Sequence, residues 1–409
     1  MSRPLRVLHI VDCLRAGGTE RAIWDLVRLS DRSLVDPRVV TACAESADSV
    51  LAEPLSSAGV HLRAIRRLES GSWQERLLDA MPERGKERLW SMLGPYQSSA
   101  RCAQACGRIA LEYLRFRPDV IHGHVWYGLR LGAWLKAWTG RPLVYSVWNR
   151  LAQLRDDGAG WVADDYRRFH PLVQAFSADE AYCAELVSHG LPAGKIRAVS
   201  GTIDFGGVQP ALAAAPFHHA RVRQRLGIPP DAPIALSVGR LTHSKGHRHA
   251  IEALRQVRQQ LPALHWVVLG EGEERAALLE SATALGVAAH THLEGWVADP
   301  YPYYAAADVF LRTFELEGDT RSSFDAMAFG LPVVGFDTGH GRDRLPLVGH
   351  GLRVATADAT GLAAAIAAIL TRPDRGRAMG ALGQADARRH LDVRHTVSLF
   401  TTMYQELAA

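Results

Sequence analysis

Several things that would assign this chain to a familiar class are scarce or missing. Five cysteines in 409 residues (Cys13, Cys43, Cys102, Cys106, Cys183) are few, odd in number and scattered, which argues against a disulfide framework and for reduced thiols in the cytoplasm. Cys102 and Cys106 lie one helical turn apart, but no second Cys or His pair stands at zinc spacing. Long hydrophobic runs are absent too. The longest, residues 361–370, falls well short of the ~20 needed to span a bilayer, and the N-terminal apolar run is too short for a signal peptide. Neither charge sign dominates: 47 basic against 43 acidic residues leave a net +4, with no dense Lys/Arg run carrying interleaved aromatics, so nucleic acid is not an expected partner. Also missing are a G-x-G-x-x-G turn after the first strand, which removes the main support for a nicotinamide cofactor, and any Asp-x-Asp pair for a divalent metal.

What is present is an ordinary globular composition, 47% hydrophobic and 22% charged, in a chain too long for one core. Residues 5–11 are rich in aliphatics and end in the turn Gly17-Gly18, after which Ala22, Ile23, Leu26, Val27 and Leu29 recur at helical spacing. Strand, glycine turn and helix open a doubly wound domain, and a glycine pair there permits close backbone approach to a ligand or makes a plain tight turn. Further strands are expected at 118–124, ending in His122 and His124, at 142–148, ending in Trp148-Asn149, at 176–178 and at 199–204. The Ala/Pro-rich stretch 209–216 reads as an interdomain connection. Residues 65–110 read as irregular helix mixing arginines with Trp90 and leucines; such a face either packs on its domain or lies on an anionic membrane.

The second half repeats the pattern. A buried strand at 234–238 ends in Gly239-Arg240, five residues before Lys245-Gly246, and a helix follows. Two cations beside glycines at a strand's C-terminal end suit a diphosphate clamp better than a solvated surface. Residues 308–343 then read as strand (309–311), polar loop, helix opening near Ser322 or Ser323, and strand (332–335). Glu317 on the loop and Asp325 just inside the helix are separated by seven residues. Ser322 and Asp325 have nearly the spacing of a capping box, a purely structural reading. The functional reading is a helix N-terminus that holds phosphate, flanked by acids that accept from sugar hydroxyls.

This stretch resembles the signature of retaining glycosyltransferases of the GT-B type, family four (glycosyl transferases group 1): Glu, seven residues, Glu, then Ala-Met-Ala-x-Gly-x-Pro-Val-Val. Glu317, Gly318, Ala326, Met327, Ala328, Gly330, Pro332, Val333 and Val334 match, whereas Asp325 replaces the second Glu, and Asp319, Thr320 and Arg321 replace small or apolar residues. The family's Gly-Arg-x-x-x-x-Lys-Gly motif matches at Gly239, Arg240, Lys245 and Gly246. The resemblance implies an α/β fold of GT-B architecture, two Rossmann-like doubly wound domains facing across a cleft. Residues 1–208 would be the acceptor-binding domain, 209–385 the nucleotide-sugar-binding domain, and 386–409 a helix crossing back to the first.

By the same resemblance Arg240, Lys245 and Glu317 are the expected catalytic residues. Gly17, Gly18, Gly239, Gly270, Val297, Thr320, Arg321, Ser322 and Asp325 would contact the donor, and His124, Trp148 and Asn149 the acceptor or sugar. Trp148 stands where the family commonly has a histidine; it accepts no proton and can serve as a stacking wall for a sugar. The implied reaction moves a sugar from a nucleotide-sugar to a glycan, lipid-linked or small-molecule acceptor, with retention, no cofactor and no metal, in the cytoplasm or at the inner membrane face. A noncatalytic nucleotide-sugar or glycan binding protein and a GT-B sugar-nucleotide epimerase are the alternatives, and no pyridoxal phosphate site for a phosphorylase is recognisable.

Overall fold

The computed structural model describes residues 3–11, 18–41, 61–64, 99–148, 161–199, 202–315, 321–338 and 349–409. They divide into two compact units, Met1–Ser200 with Arg394–Ala409, and Gly201–Val393. Most of the basic segment 65–110, up to residue 98, lies outside the described residues.

The first unit carries a seven-stranded sheet: β1 (Leu5–Val11), β2 (Val35–Thr41), β3 (His61–Ala64), β4 (Val120–His124), β5 (Leu143–Val147), β6 (Ala175–Ala178) and β7 (Ile196–Ala198). Its order is β3-β2-β1-β4-β5-β6-β7, with every pairing parallel. The second unit carries β8 (Ile234–Val238), β9 (His265–Leu269), β10 (Thr291–Gly295), β11 (Val309–Arg312), β12 (Val333–Asp337) and β13 (Gly351–Ala355) in the order β10-β9-β8-β11-β12-β13, again all parallel. Both are doubly wound sheets, the arrangement expected from the alternation of aliphatic runs and helical periods.

Strands of a sheet covered by helices on both sides are apolar throughout, and alternate side chains serve opposite cores. In the second unit Ile234, Leu236, Val267, Phe310 and Val333 join one buried cluster, while Ala235, Trp266, Val268, Leu311 and Val334 join the other. Trp266 is fully buried; its indole N–H donates to Ser237 Oγ at 3.1 Å, and that hydroxyl donates to the Leu311 carbonyl at 3.2 Å, so one polar chain crosses three central strands inside the core.

Two expectations about secondary structure are corrected. The described residues of 199–204 form no strand: β7 ends at Ala198, Ile203 makes only a bridge to Asp392, and Asp204 caps the helix Phe205–Ala213 by accepting from the Gly206 amide at 2.9 Å. The Ala/Pro-rich stretch 209–216 is helical, running through that helix into Ala215–Leu226. Buried Phe205, Val208 and Ala211 hold it on the second unit despite Pro210, because packing of an apolar face outweighs local composition.

Trp266→Ala removes the largest fully buried side chain and leaves Ser237 without its donor. A loss of about 3–5 kcal/mol in the unfolding free energy is expected, read by denaturant titration of the purified protein.

Candidate active site

In each sheet the chain reverses its direction of winding once, between β1 and β4 in the first unit and between β8 and β11 in the second, and ligands of doubly wound sheets bind beyond the carboxyl ends of the strands at such points. Of the predicted site residues, Gly17, Asn149, Glu317 and Thr320 lie outside the described residues, and Gly18 opens the helix Gly18–Arg28. The others stand at strand ends. His124 closes β4 and Trp148 follows β5; Gly239 and Arg240 follow β8, Gly270 follows β9, Val297 lies just past β10, and Arg321, Ser322 and Asp325 belong to the helix after β11.

In the second unit the loops are tied to one another through the backbone. The Gly239 amide donates to the Leu269 carbonyl at 3.0 Å, Leu241 to Glu271 at 2.9 Å, and Gly270 to Gly295 at 2.7 Å. A Cβ on Gly270 would stand 1.8 Å from the Gly239 carbonyl oxygen, and one on Gly246, at φ +62°, 2.2 Å from that of Thr313. Only glycine permits these approaches. Val297 is partly buried and packs on the same apolar cluster as Val238.

Lys245 ends the short turn His243–Lys245 and is buried, its ammonium 4.1 Å from the centroid of the Phe314 ring. Arg240 is exposed and has no side-chain partner among the described residues. The loop after β11 is fastened to the lysine turn from three directions. Thr313 Oγ1 donates to the Lys245 carbonyl at 2.8 Å, the Glu315 amide to the Ser244 carbonyl at 3.0 Å, and the Glu315 carboxylate holds Arg248 and, at 2.9 Å, His249 Nε2. Sequence reading passed over Glu315, Arg248 and His249; the available signal was a carboxylate two residues ahead of Glu317 and a His/Arg pair after Gly246.

The helix Arg321–Ala328 begins one residue before Ser322, which therefore lies inside the first turn and cannot be the N-cap of a capping box. Asp325 is buried and accepts from Arg321 Nε at 3.2 Å, an i,i+4 ion pair. Tyr304 OH donates to the Ser322 carbonyl at 3.0 Å, and burial, with Asp325 nearby, pushes its acidity well down. Arg240, Lys245 and Arg321 thus all stand at the C-terminal edge of one sheet.

In the first unit His124 belongs to a buried polar cluster that the sequence only half shows. His9, in the middle of β1, pairs in register with His122. His9 Nδ1 and His124 Nε2 are 3.0 Å apart, and His122 is held at Nδ1 by Tyr404 OH and at Nε2 by Ser146 Oγ, both at 2.7 Å; Ser146 in turn meets Ser177 at 2.7 Å. Tyr404 comes from the last helix, Val393–Ala408. Ring nitrogens of His9, His122 and His124 lie within 4.8 Å of one another, the one such trio among the described residues, but both nitrogens of His122 are engaged by hydroxyls. Burial without a neighbouring carboxylate pushes His9 down to about 3, aided by Arg32, and holds His122 and His124 well below the usual histidine range. These are neutral imidazoles.

Trp148 stacks beside His124 with ring centroids 6.2 Å apart and packs on the cluster of Val11, Ile23, Val27 and Val39. Its indole N–H has no partner among the described residues. Val125, directly after His124, adopts φ +58°, a costly conformation for a β-branched residue, and Tyr145 OH donates to its carbonyl at 2.7 Å.

Residues 17–202 match the glycosyl transferase 4-like domain, and residues 219–386 match glycosyl transferases group 1. The chain belongs to the group 1 glycosyltransferases, whose two doubly wound domains make up the GT-B fold. It is 36% identical over 148 residues to the lipopolysaccharide core biosynthesis glycosyltransferase LpsE of Rhizobium meliloti, a match that takes in 36% of this chain and 42% of that protein. With the D-inositol 3-phosphate glycosyltransferase of Segniliparus rotundus it shares 27% identity over 328 residues, 71% of this chain and 67% of the relative. The match to LpsE thus spans less than half of that relative's own length. Among solved structures, Anabaena HepE in complex with UDP and glucose matches with a TM-score of 0.77 over 98% of this chain and 99% of that one at 18% identity, a likeness of fold.

The histidine cluster sets a pH dependence. In the unfolded chain these imidazoles protonate near pH 6.5, whereas in the fold they stay neutral far below it, so the unfolded state binds more protons and stability falls as pH drops below about 6.5. Each contributes up to about 1.4 kcal/mol per pH unit, down to about pH 3 for His9. Thermal melts from pH 8 to about pH 5 should show this slope, and His9→Gln should make it shallower.

Proposed function

We propose that this chain transfers a glycosyl group from a nucleoside diphosphate sugar to a hydroxyl of a glycan, lipid-linked or small-molecule acceptor. The anomeric configuration is retained, no metal takes part, and the product belongs to a surface polysaccharide or another glycoconjugate. The observation that carries this reading is the placement of Arg240 and Lys245 past β8, beside the switch point of the second sheet and next to the helix that opens at Arg321.

Sugar transfer breaks the bond between the anomeric carbon and the β-phosphate oxygen and forms one to the acceptor oxygen. The barrier lies mainly in the charge that develops on the diphosphate. An exposed guanidinium without a side-chain partner among the described residues and a lysine fixed against an aromatic face are suited to receive that charge, and the N-terminal end of the helix Arg321–Ala328 adds its dipole. In this reading the leaving phosphate takes the acceptor's proton, so no protein base is required. Glu317 would contact the donor sugar and Asp325 the ribose, with Arg321 moving off Asp325 as the nucleotide enters. Trp148 would face the sugar or acceptor, with the buried His124 stacked behind it. The names of LpsE and of the inositol phosphate glycosyltransferase support a role in glycoconjugate synthesis, and HepE's UDP and glucose support a nucleotide-sugar donor. The protein would work in the cytoplasm, in peripheral contact with the inner membrane face.

The departures from the family pattern at Trp148 and Asp325 favour one other reading, a protein that binds nucleotide-sugar without turnover. Thermal stabilisation against UDP, GDP, ADP, CMP and dTDP sugars tests both. One nucleotide should stabilise the protein, by about 2.7 kcal/mol at a hundredfold excess over Kd. Arg240→Ala with Lys245→Ala should abolish the shift and lower turnover by about 100-fold or more. Tight binding with no transfer and no donor hydrolysis would favour the binding protein, and isomerised donor without acceptor would favour an epimerase. Retained anomeric configuration by NMR and full activity in EDTA are the expected results for the finer points; inversion or loss with the chelator would overturn them.

A further inference from the structure

A helix that packs one face on a core is expected to turn polar residues outward. The helix Ser99–Phe116 departs from this. Ile109, Glu112 and Phe116 are buried, while Leu111 and Leu114 are 45% and 57% exposed beside exposed Arg108 and Arg115. The helix Val125–Thr139 adds Trp138, 52% exposed, whose ring lies 5.6 Å from Tyr113 of the first helix and 6.0 Å from Trp134. Two helices that meet through their aromatic rings therefore present three large apolar side chains to solvent.

The charge around them has one sign. Residues 99–141 hold seven arginines and lysines against two carboxylates. Both carboxylates are buried and already paired: Glu112 with Arg38 at 3.1 Å and Arg115 at 3.7 Å, and Asp119 with Arg3 at 2.8 Å. The two helices themselves carry no exposed acid among their described residues. Leucines standing proud of a cationic helix, with an indole packed on Tyr113 of that helix, complement the interface of an anionic bilayer, whose acyl boundary takes the leucines, whose headgroup layer takes the indole, and whose phosphates take the guanidinium groups.

We propose that the face formed by Leu111, Leu114 and Trp138 docks the first unit on an anionic lipid surface. The proposal rests on the peripheral-contact part of the reading above and supplies the surface for it. Among the described residues no helix is long and apolar enough to cross a membrane, so this face accounts for lipid contact without insertion of a span.

The test is co-sedimentation of the full chain with vesicles of phosphatidylcholine containing phosphatidylglycerol, against phosphatidylcholine alone. The protein should pellet with the anionic vesicles and be released by salt. Leu111→Ser with Leu114→Ser, both at exposed positions, should weaken binding roughly tenfold or more. Arg108→Gln should weaken it about fivefold. Leu279→Ser, at a leucine of the second unit that is 45% exposed, should bind like the parent. Binding to neither vesicle, equal binding to both, or an unchanged double serine variant would overturn the proposal. So would a concentration-dependent dimer that the double serine variant dissolves, which would assign the face to a second copy of this chain. Nucleotide-induced stabilisation measured on the same preparations separates the outcomes: if it persists while vesicle binding fails, the surface is wrong and the transfer reading stands.

Discussion

Parallel pairing is the constraint on which the rest of this structure depends. Adjacent parallel strands cannot be joined by a tight turn, so each must be followed by a crossover that returns the chain to the starting edge. All strands of a sheet therefore end on the same side, and loops separated by tens of residues in sequence become neighbours. That is how the Gly239 amide comes to donate to the Leu269 carbonyl and the Gly270 amide to that of Gly295, across three different strand ends, and how the Phe314 ring comes to lie over Lys245. The same rule brings His9 beside His122 in the first sheet.

The two sheets put this edge to different electrostatic use. The second gathers cations there and keeps them in fixed positions: Lys245 against an aromatic ring, Arg248 on Glu315, Arg321 on Asp325. Glu315 matters because it pairs with Arg248 and hydrogen-bonds His249 while fastening its own loop onto the lysine turn. A cation held as Lys245 is, against the Phe314 ring, needs little reorganisation to meet an anion. The first sheet does the reverse. Its histidines are buried, joined by hydrogen bonds to one another and to hydroxyls, and held below the usual histidine range by burial and by one another's charge.

Much of this was legible in the chain because it is local. The aliphatic runs at 5–11, 234–238 and 265–269 coincide with β1, β8 and β9, and the glycines around Arg240 and Lys245 announced a turn that needs close backbone approach. The errors were of another kind. The Ala/Pro-rich stretch 209–216 looked like a connection because composition carries no record of what a segment packs against, and buried Phe205, Val208 and Ala211 made it helix. The capping-box alternative fails because Arg321 is already helical, which puts Ser322 inside the helix, and Arg321 pairs with Asp325.

By itself, then, the sequence determined the fold class, the family, and the cations and carboxylates available for chemistry, since aliphatic period, glycine placement and motif spacing are all short-range properties that need no partner to express them. The tertiary structure alone decided which of those groups are paired. Tyr404 reaches His122 across 282 positions of chain and Glu315 reaches Arg248 across 67. The outward leucines of the helix Ser99–Phe116 became a cationic, apolar face only when their neighbouring carboxylates were buried against Arg38 and Arg3. Burial and pairing are set by the whole chain's packing, because desolvation and Coulomb attraction act between groups that are close in space however far apart they lie in sequence.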